Sequence, residues 1–137
     1  MDQEPNAVVL RDVTDRDVAV FFEHQLDAVA NELAAFPARD HEAHRAHWAR
    51  ILRDDTIITK SILVNGQVAG NIVSWEQKGN REVGYWIGRD HWGKGVATKA
   101  LSQFIELVLQ RPLHAYVAKH NAGSIRVLEK CGFRPCG

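Results

Sequence analysis

Val18, Phe21, Phe22, Gln25, Leu26 and Val29 follow one another at steps of three and four, and five of these six positions are apolar. That spacing predicts a helix with one buried face. Thr14 with Asp17 three residues on marks its start, and Pro37 closes the segment. The apolar "AVVLRDVT" before it reads as a short strand. A second helix is expected after Asp40, burying Trp48, Ile51 and Leu52 and ending at "RDD".

From Thr56 the texture becomes β-branched. "TIITKSILV" reads as a strand, Asn65-Gly66 as a two-residue hairpin turn, and "QVAGNIVSWEQ" as the returning strand. "KGNR" turns the chain again into "EVGYWIG", completing an antiparallel meander. After Gly95 the helical period returns with Ala97, Ala100, Leu101, Phe104, Ile105 and Val108, running to about Gln110 before Pro112. "LHAYVA" is a further strand, and Asn121 caps a last helix carrying Ile125, Leu128 and Cys131, with Gly132 in the stop position. The order is strand, two helices, three strands, helix, strand, helix. This is one α/β (α+β) domain spanning 1–137, with a mixed central sheet flanked by helices. Only "FRPCG" follows the last helix, enough for barely one short strand.

Composition narrows the field. In 137 residues the 17 basic and 17 acidic side chains cancel, so no whole-molecule field draws the chain to nucleic acid or an anionic membrane. The start "MDQEPNAVVLRD" has no basic segment followed by an apolar run, and no apolar stretch approaches a membrane span. A cytoplasmic protein is expected. Cys131 and Cys136 have no second pair with which to build a zinc site. His41, His44 and His47 recur at steps of three, but "HEAH" is one residue short of the zinc-protease "HExxH", so a solvated helix face is expected and no metal.

The chemistry concentrates in "GRDHWGKG". A strand, a glycine-rich turn and a helix N-terminus form an anion site, because the first-turn N–H groups lack partners and the helix dipole favours negative charge. Gly93 and Gly95 admit a phosphate close to the backbone, and Lys94 adds a charge. A nucleotide P-loop needs Ser or Thr where Gly95 stands, and no apolar strand ending in Asp supplies the second magnesium contact. As a dinucleotide fingerprint the segment has Thr98 in the place of the third glycine. A phosphate cradle without magnesium fits better.

"YWIGRDHWGKGVATKALSQFIE", taken with "NAGSIRVLEKCGF", resembles the GNAT superfamily of acyl-CoA-dependent N-acetyltransferases. The nearest look is to the branch acetylating protein N-termini, including the alanine or serine termini of ribosomal proteins. The likeness covers most of the chain and includes "VVLRDVTDRDVAVFF" and "NGQVAGNIVSW" in the expected order. It implies a GNAT-like acyl-CoA N-acyltransferase fold whose final strands are missing here, and transfer of acetyl from acetyl-CoA to a primary amine. Gly93 and Gly95 match the signature, whereas Asp90 stands where Gln or Arg is usual. By the resemblance, amides from His91 through Trp92, Gly93, Lys94 and Gly95 to Val96 hold the CoA pyrophosphate, with Ala97 and Thr98 continuing the turn. Tyr85, Trp86 and Ile87 present backbone to the pantetheine arm, and an N–H near Ile87 polarises the acetyl carbonyl. Asn121 matches the Asn at the CoA arm and equally reads as a plain helix cap.

An α-amine with pKa about 8 is roughly a tenth neutral at pH 7, so an N-terminal amine needs less help from a base than lysine does. Glu82, alternating with Gly84 and Trp86, is the candidate base, set against a solvated strand-edge carboxylate. The superfamily's usual acid, a Tyr seven residues after the Asn, is Leu128 here. Ser124 matches a Ser near the sulfur in relatives of the N-terminal branch, and also suits plain helix-end hydrogen bonding. Tyr85 and Tyr116 are reserve donors. Basic residues of "KHNAGSIRVLEK" suit the CoA 3′-phosphate or solvent, and acceptor selectivity falls to the helices near "FPARDHEAHRAHW". The missing Tyr and missing strands keep a second reading open, a non-catalytic CoA-binding protein, and predict a homodimer through the C-terminal region.

Overall fold

The computed structural model describes residues 7–136. The expectation of no signal peptide falls partly on residues 1–6, which lie outside the described residues.

Five strands form one sheet in the order β1-β2-β3-β4-β5. They are β1 (Val8–Arg11), β2 (Ile58–Val64), β3 (Gln67–Gln77), β4 (Asn80–Ile87) and β5 (Leu113–His114). The first four pair antiparallel, so the expected meander is present with β1 added at its edge beside β2. Its turns follow from their residues: Asn65 and Gly66 have φ of 50° and 83°, and Lys78 and Gly79 have 52° and 81°.

The first helical segment divides. Helix α1 spans Asp15–His24 and α2 spans Ala28–Ala34, because Asp27 caps a new start by accepting from the Val29 N–H at 2.9 Å. The apolar period runs through this break, which is why the sequence reads as one helix. α3 (His41–Leu52) buries Trp48 and Ile51 as expected, but Leu52 is exposed. α4 (Val96–Leu107) and α5 (Ala122–Lys130) complete the order.

The capping pair at α1 does more than stop fraying. Asp17 accepts from the Thr14 N–H at 2.9 Å, from Ser61 Oγ at 2.7 Å and from both terminal nitrogens of Arg11, tying α1 to β1 and β2. Burial alone pushes this carboxyl up. The Arg11, Ser61 and Thr14 contacts outweigh burial and hold it far below the usual carboxylate range.

Helices cover both sheet faces. Ile62, Ile72 and Val83 pack with Leu101 and Phe104 of α4, while Phe21 and Trp48 form a separate cluster on the α1 and α3 side. β5 is far shorter than "LHAYVA" suggests: only Arg81↔Leu113 and Glu82↔His114 pair, in parallel, and Ala115–Ala118 leaves the ladder. The β4 edge from Val83 to Ile87 therefore has no β5 partner. Phe133 to Cys136 form no strand.

Candidate active site

A cleft of about 660 Å³ opens where β5 leaves β4. Its walls are the Tyr85–Ile87 segment, the loop from His91 into α4, the start of α5, and the Ala30, Leu33 and Ala34 face of α2. Every expected catalytic and cofactor residue lines it except Glu82 and Lys94, and of the two reserve donors Tyr85 lines it and Tyr116 does not.

The loop geometry follows from two glycines. Gly93 and Gly95 have φ of 73° and 75°, a region that costs other residues about 1 kcal/mol or more. Between β4 and this turn lies one turn of 3₁₀ helix, Arg89–His91. Its hydrogen bonds alter the expected donor set: the His91 N–H donates to Gly88 at 2.9 Å and the Trp92 N–H to Arg89 at 3.0 Å. These two amides are already engaged. The first bond of α4 joins the Lys99 N–H to the Gly95 carbonyl at 3.1 Å, which leaves the Val96, Ala97 and Thr98 N–H groups without partners inside the helix. Of the expected amides, those of His91 and Trp92 are spent in the 3₁₀ turn, while the Val96, Ala97 and Thr98 N–H groups stay open at the helix start. Trp92 Nε1 donates to the Ile87 carbonyl at 2.8 Å, and Arg89 forks onto Asp27, tying the loop to β4 and to the start of α2.

On the opposite wall Asn121 caps α5, accepting from the Ser124 N–H at 3.2 Å, while also lining the cleft. Both readings of Asn121 are thus compatible with its position. His120 reaches across to the Glu32 carbonyl of α2 at 2.6 Å, and Arg126 and Lys130 supply the cleft's basic rim. Lys94 is exposed to solvent.

Tyr85 projects from β4 toward α5. Its hydroxyl is buried without a hydrogen-bond partner of good geometry; burial pushes its pKa up, and the nearby Ser124 side chain partly opposes that. Leu128, at the place of the superfamily's usual Tyr, is packed in the core.

A second cleft, of about 540 Å³, lies on the other sheet face, between β3 and β4 and the α1, α3 side. Trp48, Trp75, Trp86 and Phe36 give it aromatic walls. Gly84 makes the floor flat, since a Cβ there would sit 3.2 Å from the Trp75 ring. The histidine expectation is corrected in part: His41 is exposed as expected, but His44 is 4% exposed, packed against Phe22 and Trp48, and lines this cleft with His47. Burial first, then Arg39, lowers both histidines, His47 to about 4, so both are neutral at pH 7. Arg39, Gln25, Asp54 and Glu76 complete a lining drawn from segments far apart in sequence. The segment "FPARDHEAHRAHW", to which the resemblance gave acceptor selectivity, supplies Phe36, Arg39, His44, His47 and Trp48 of this lining.

The two clefts share Ala34, Tyr85 and Trp86. Alternate β4 residues point to opposite faces, and the free edge lets both reach one gap. Glu82 lines neither cleft. It is 5% exposed and held between β3 and β5, so it is neither solvated nor on a strand edge. Among the described residues no group of three His, Cys, Asp or Glu side chains is placed to hold a metal, and no helix is long and apolar enough to cross a membrane.

A strand edge left open beside a glycine-rich helix start defines an acyl-CoA transferase architecture. The acetyltransferase (GNAT) domain model matches residues 7–134, and the chain belongs to that family. An uncharacterized N-acetyltransferase p20 of Bacillus licheniformis is 33% identical over 90 residues, covering 62% of this chain and 49% of that protein. A probable N-acetyltransferase YjcK of Bacillus subtilis (strain 168) is 43% identical over 60 residues, covering 40% of this chain and 33% of its own. The chain thus matches half or less of these curated relatives' length. Among solved structures, aminoglycoside acetyltransferase AAC(6')-Ib in complex with coenzyme A aligns with TM-score 0.78 at 21% identity, over 96% of this chain and 86% of the other. Spermidine N-acetyltransferase from Vibrio cholerae, with CoA and spermine, aligns at 0.83 and 15% identity, over 95% and 82%. These likenesses establish the fold.

Proposed function

We propose that the protein transfers the acetyl group of acetyl-CoA directly to a primary amine. The observation that carries this reading is the junction of the two clefts at Ala34, Tyr85 and Trp86: a donor in one meets an acceptor in the other at a single gap in the sheet. The CoA pyrophosphate sits at the free N–H groups of Val96, Ala97 and Thr98 beside Gly93 and Gly95, with Arg126 and Lys130 toward the 3′-phosphate. The residues present fit this group, because the donors are unspent and a Cβ at either glycine would force the turn out of shape.

In the reaction the neutral amine attacks the thioester carbonyl. The C–N bond forms, the C–S bond breaks, the amine nitrogen loses a proton and the departing thiolate gains one. An N–H of the Ile87 segment receives the developing oxyanion. Ser124 and the Tyr85 hydroxyl stand together at the cleft wall and are assigned the thiolate proton, since Leu128 cannot donate one. Glu82 shares the Trp86 face of β4 but lies outside both linings, so its part as base runs through a water chain. Acceptors with the amine of a protein N-terminus, an aminoglycoside or a polyamine belong to one test panel, the last two suggested by the structural relatives' own substrates. Self-association through the C-terminal region belongs to the same reading; Leu109 and Tyr116 there are 82% and 80% exposed.

The test is thermal unfolding with acetyl-CoA, followed by product analysis on the amine panel. A ligand at a hundred times its Kd adds about 2.7 kcal/mol of stability. Stabilisation with amine acetylation supports the reading. Stabilisation without acetylation of any amine favours a CoA-binding protein, and no stabilisation rejects the donor cleft.

A further inference from the structure

The second cleft is lined by Arg39, which among the described residues is in no salt bridge. Gln25, itself 9% exposed, clamps the Arg39 backbone from both sides: its Nε2 donates to the Arg39 carbonyl at 2.9 Å and its Oε1 accepts from the Arg39 N–H at 2.7 Å. This fixes the residue in a segment that is otherwise loop, between α2 and α3. The Arg39 guanidinium lies over the Phe36 ring at 4.8 Å from its centroid. Among the described residues, the salt bridges engage Arg11, Arg45, Lys60 and Arg89, not Arg39.

The charged groups acting on Arg39 add to this asymmetry. Arg50 repels it, and His44 and His47 are held neutral near pH 7. Two carboxylates share the cleft, but Asp54 is occupied by the Thr56 N–H at 2.9 Å and Thr56 Oγ1 at 2.6 Å, and Glu76 is on the exposed end of β3. A guanidinium in an aromatic, partly desolvated cleft can hold a carboxylate through two parallel N–H donors, which adds directional specificity that an ammonium lacks.

Arg39 lines only the second cleft, whereas the acetyl group must arrive at the Tyr85–Trp86 junction. The acceptor's charged tail and its reacting amine are therefore separated by the aromatic walls. Building on the acetyltransferase reading, we propose that the acceptor is an amine that also carries a carboxylate, the two joined by an apolar or aromatic body, with the carboxylate on Arg39 and the amine at the junction.

Binding is measured by calorimetry, with CoA present, for 4-(aminomethyl)benzoate and its carboxamide on the wild-type protein, Arg39→Gln and Arg39→Lys. The carboxylate is expected to bind the wild type about tenfold tighter than the carboxamide. Arg39→Gln should bind the two equally, and Arg39→Lys should keep part of the preference. Equal binding by the wild type, or an unchanged preference in Arg39→Gln, overturns the proposal. The acetyl-CoA thermal shift, measured on each variant, confirms folding and separates the two failures: its loss in the wild type counts against the acetyltransferase reading, while its presence with no carboxylate preference counts against the anionic acceptor alone.

Discussion

The two clefts that meet at Trp86 are built from different materials. The donor cleft presents backbone: unpartnered N–H groups, two glycines with positive φ and the free edge of β4. The second cleft, assigned above to the acceptor, presents side chains: three tryptophans, two phenylalanines, two neutral histidines and an arginine that is in no salt bridge among the described residues. Backbone donors suit a ligand whose phosphates never change. Exposed and half-buried side chains such as Phe36 and Arg39 can be exchanged without touching the core, so in the proposed function selectivity falls to that side.

The largest expected effect breaks the donor side alone. Replacing both Gly93 and Gly95 with Val forces two branched residues to positive φ and places methyl groups at the phosphate, and acetyl-CoA affinity should fall about a hundredfold, or about 2.7 kcal/mol. Isothermal titration with acetyl-CoA checks this, and an affinity within threefold of wild type contradicts it. Of similar size, but on stability instead of binding, Asp17→Ala leaves Arg11 without its carboxylate and Ser61 Oγ without an acceptor. A loss of about 2 kcal/mol in urea unfolding is expected, because the half-exposed Arg11 can be solvated while the Thr14 N–H and the buried Ser61 hydroxyl lose their acceptor.

Chemistry at the junction comes next. Tyr85→Phe and Ser124→Ala should each lower kcat about tenfold while leaving acetyl-CoA affinity in place, and the double variant should lose little more than the worse single one, because both serve one proton transfer. A multiplicative loss would show two independent roles. Glu82→Gln sharpens the same point, since loss of a base acting through water should lower kcat without abolishing turnover.

The smallest effect is on pH dependence. His24, His44 and His47 are all held below the ordinary histidine range by burial, so their protonation is resisted in the folded protein and accepted in the unfolded one. Stability is full above about 6.5 and declines as pH falls toward about 4, where His47 titrates; Asp17, also lowered but from the carboxylate range, adds a further loss only below about 4. An acid unfolding curve with His47→Gln should lose part of the first decline and keep the second.

The same contrast decides what could be read from the sequence. The donor cleft is almost contiguous: residues 85–98 supply its strand, turn and helix start, and Asn121 and Ser124 announce α5, so motif spacing located it. Even there, the engagement of the His91 and Trp92 N–H groups in a 3₁₀ turn depends on local hydrogen bonding that no motif encodes. The acceptor cleft joins Gln25, Arg39, His44 and Trp75 only through tertiary packing. Three histidines at steps of three look solvated, and His41 is, but Phe22 and Trp48 close over His44 and turn His47 toward the cleft. The break between α1 and α2 was hidden for a related reason: Leu26 and Val29 continue the apolar period but are exposed, and the cap at Asp27 outweighs the pattern. The brevity of β5 was equally illegible, because "LHAYVA" has strand character throughout and only pairing with β4 limits it to two residues.

The most direct test of the account is to supply acetyl-CoA labelled in its acetyl group together with a primary amine from the panel, and to follow the label by mass spectrometry on amine, protein and thiol. Direct transfer across the shared gap predicts label in the amine, one free thiol for each amine acetylated, and none on the protein. Label on the protein, or an intact thioester with every amine, would contradict it.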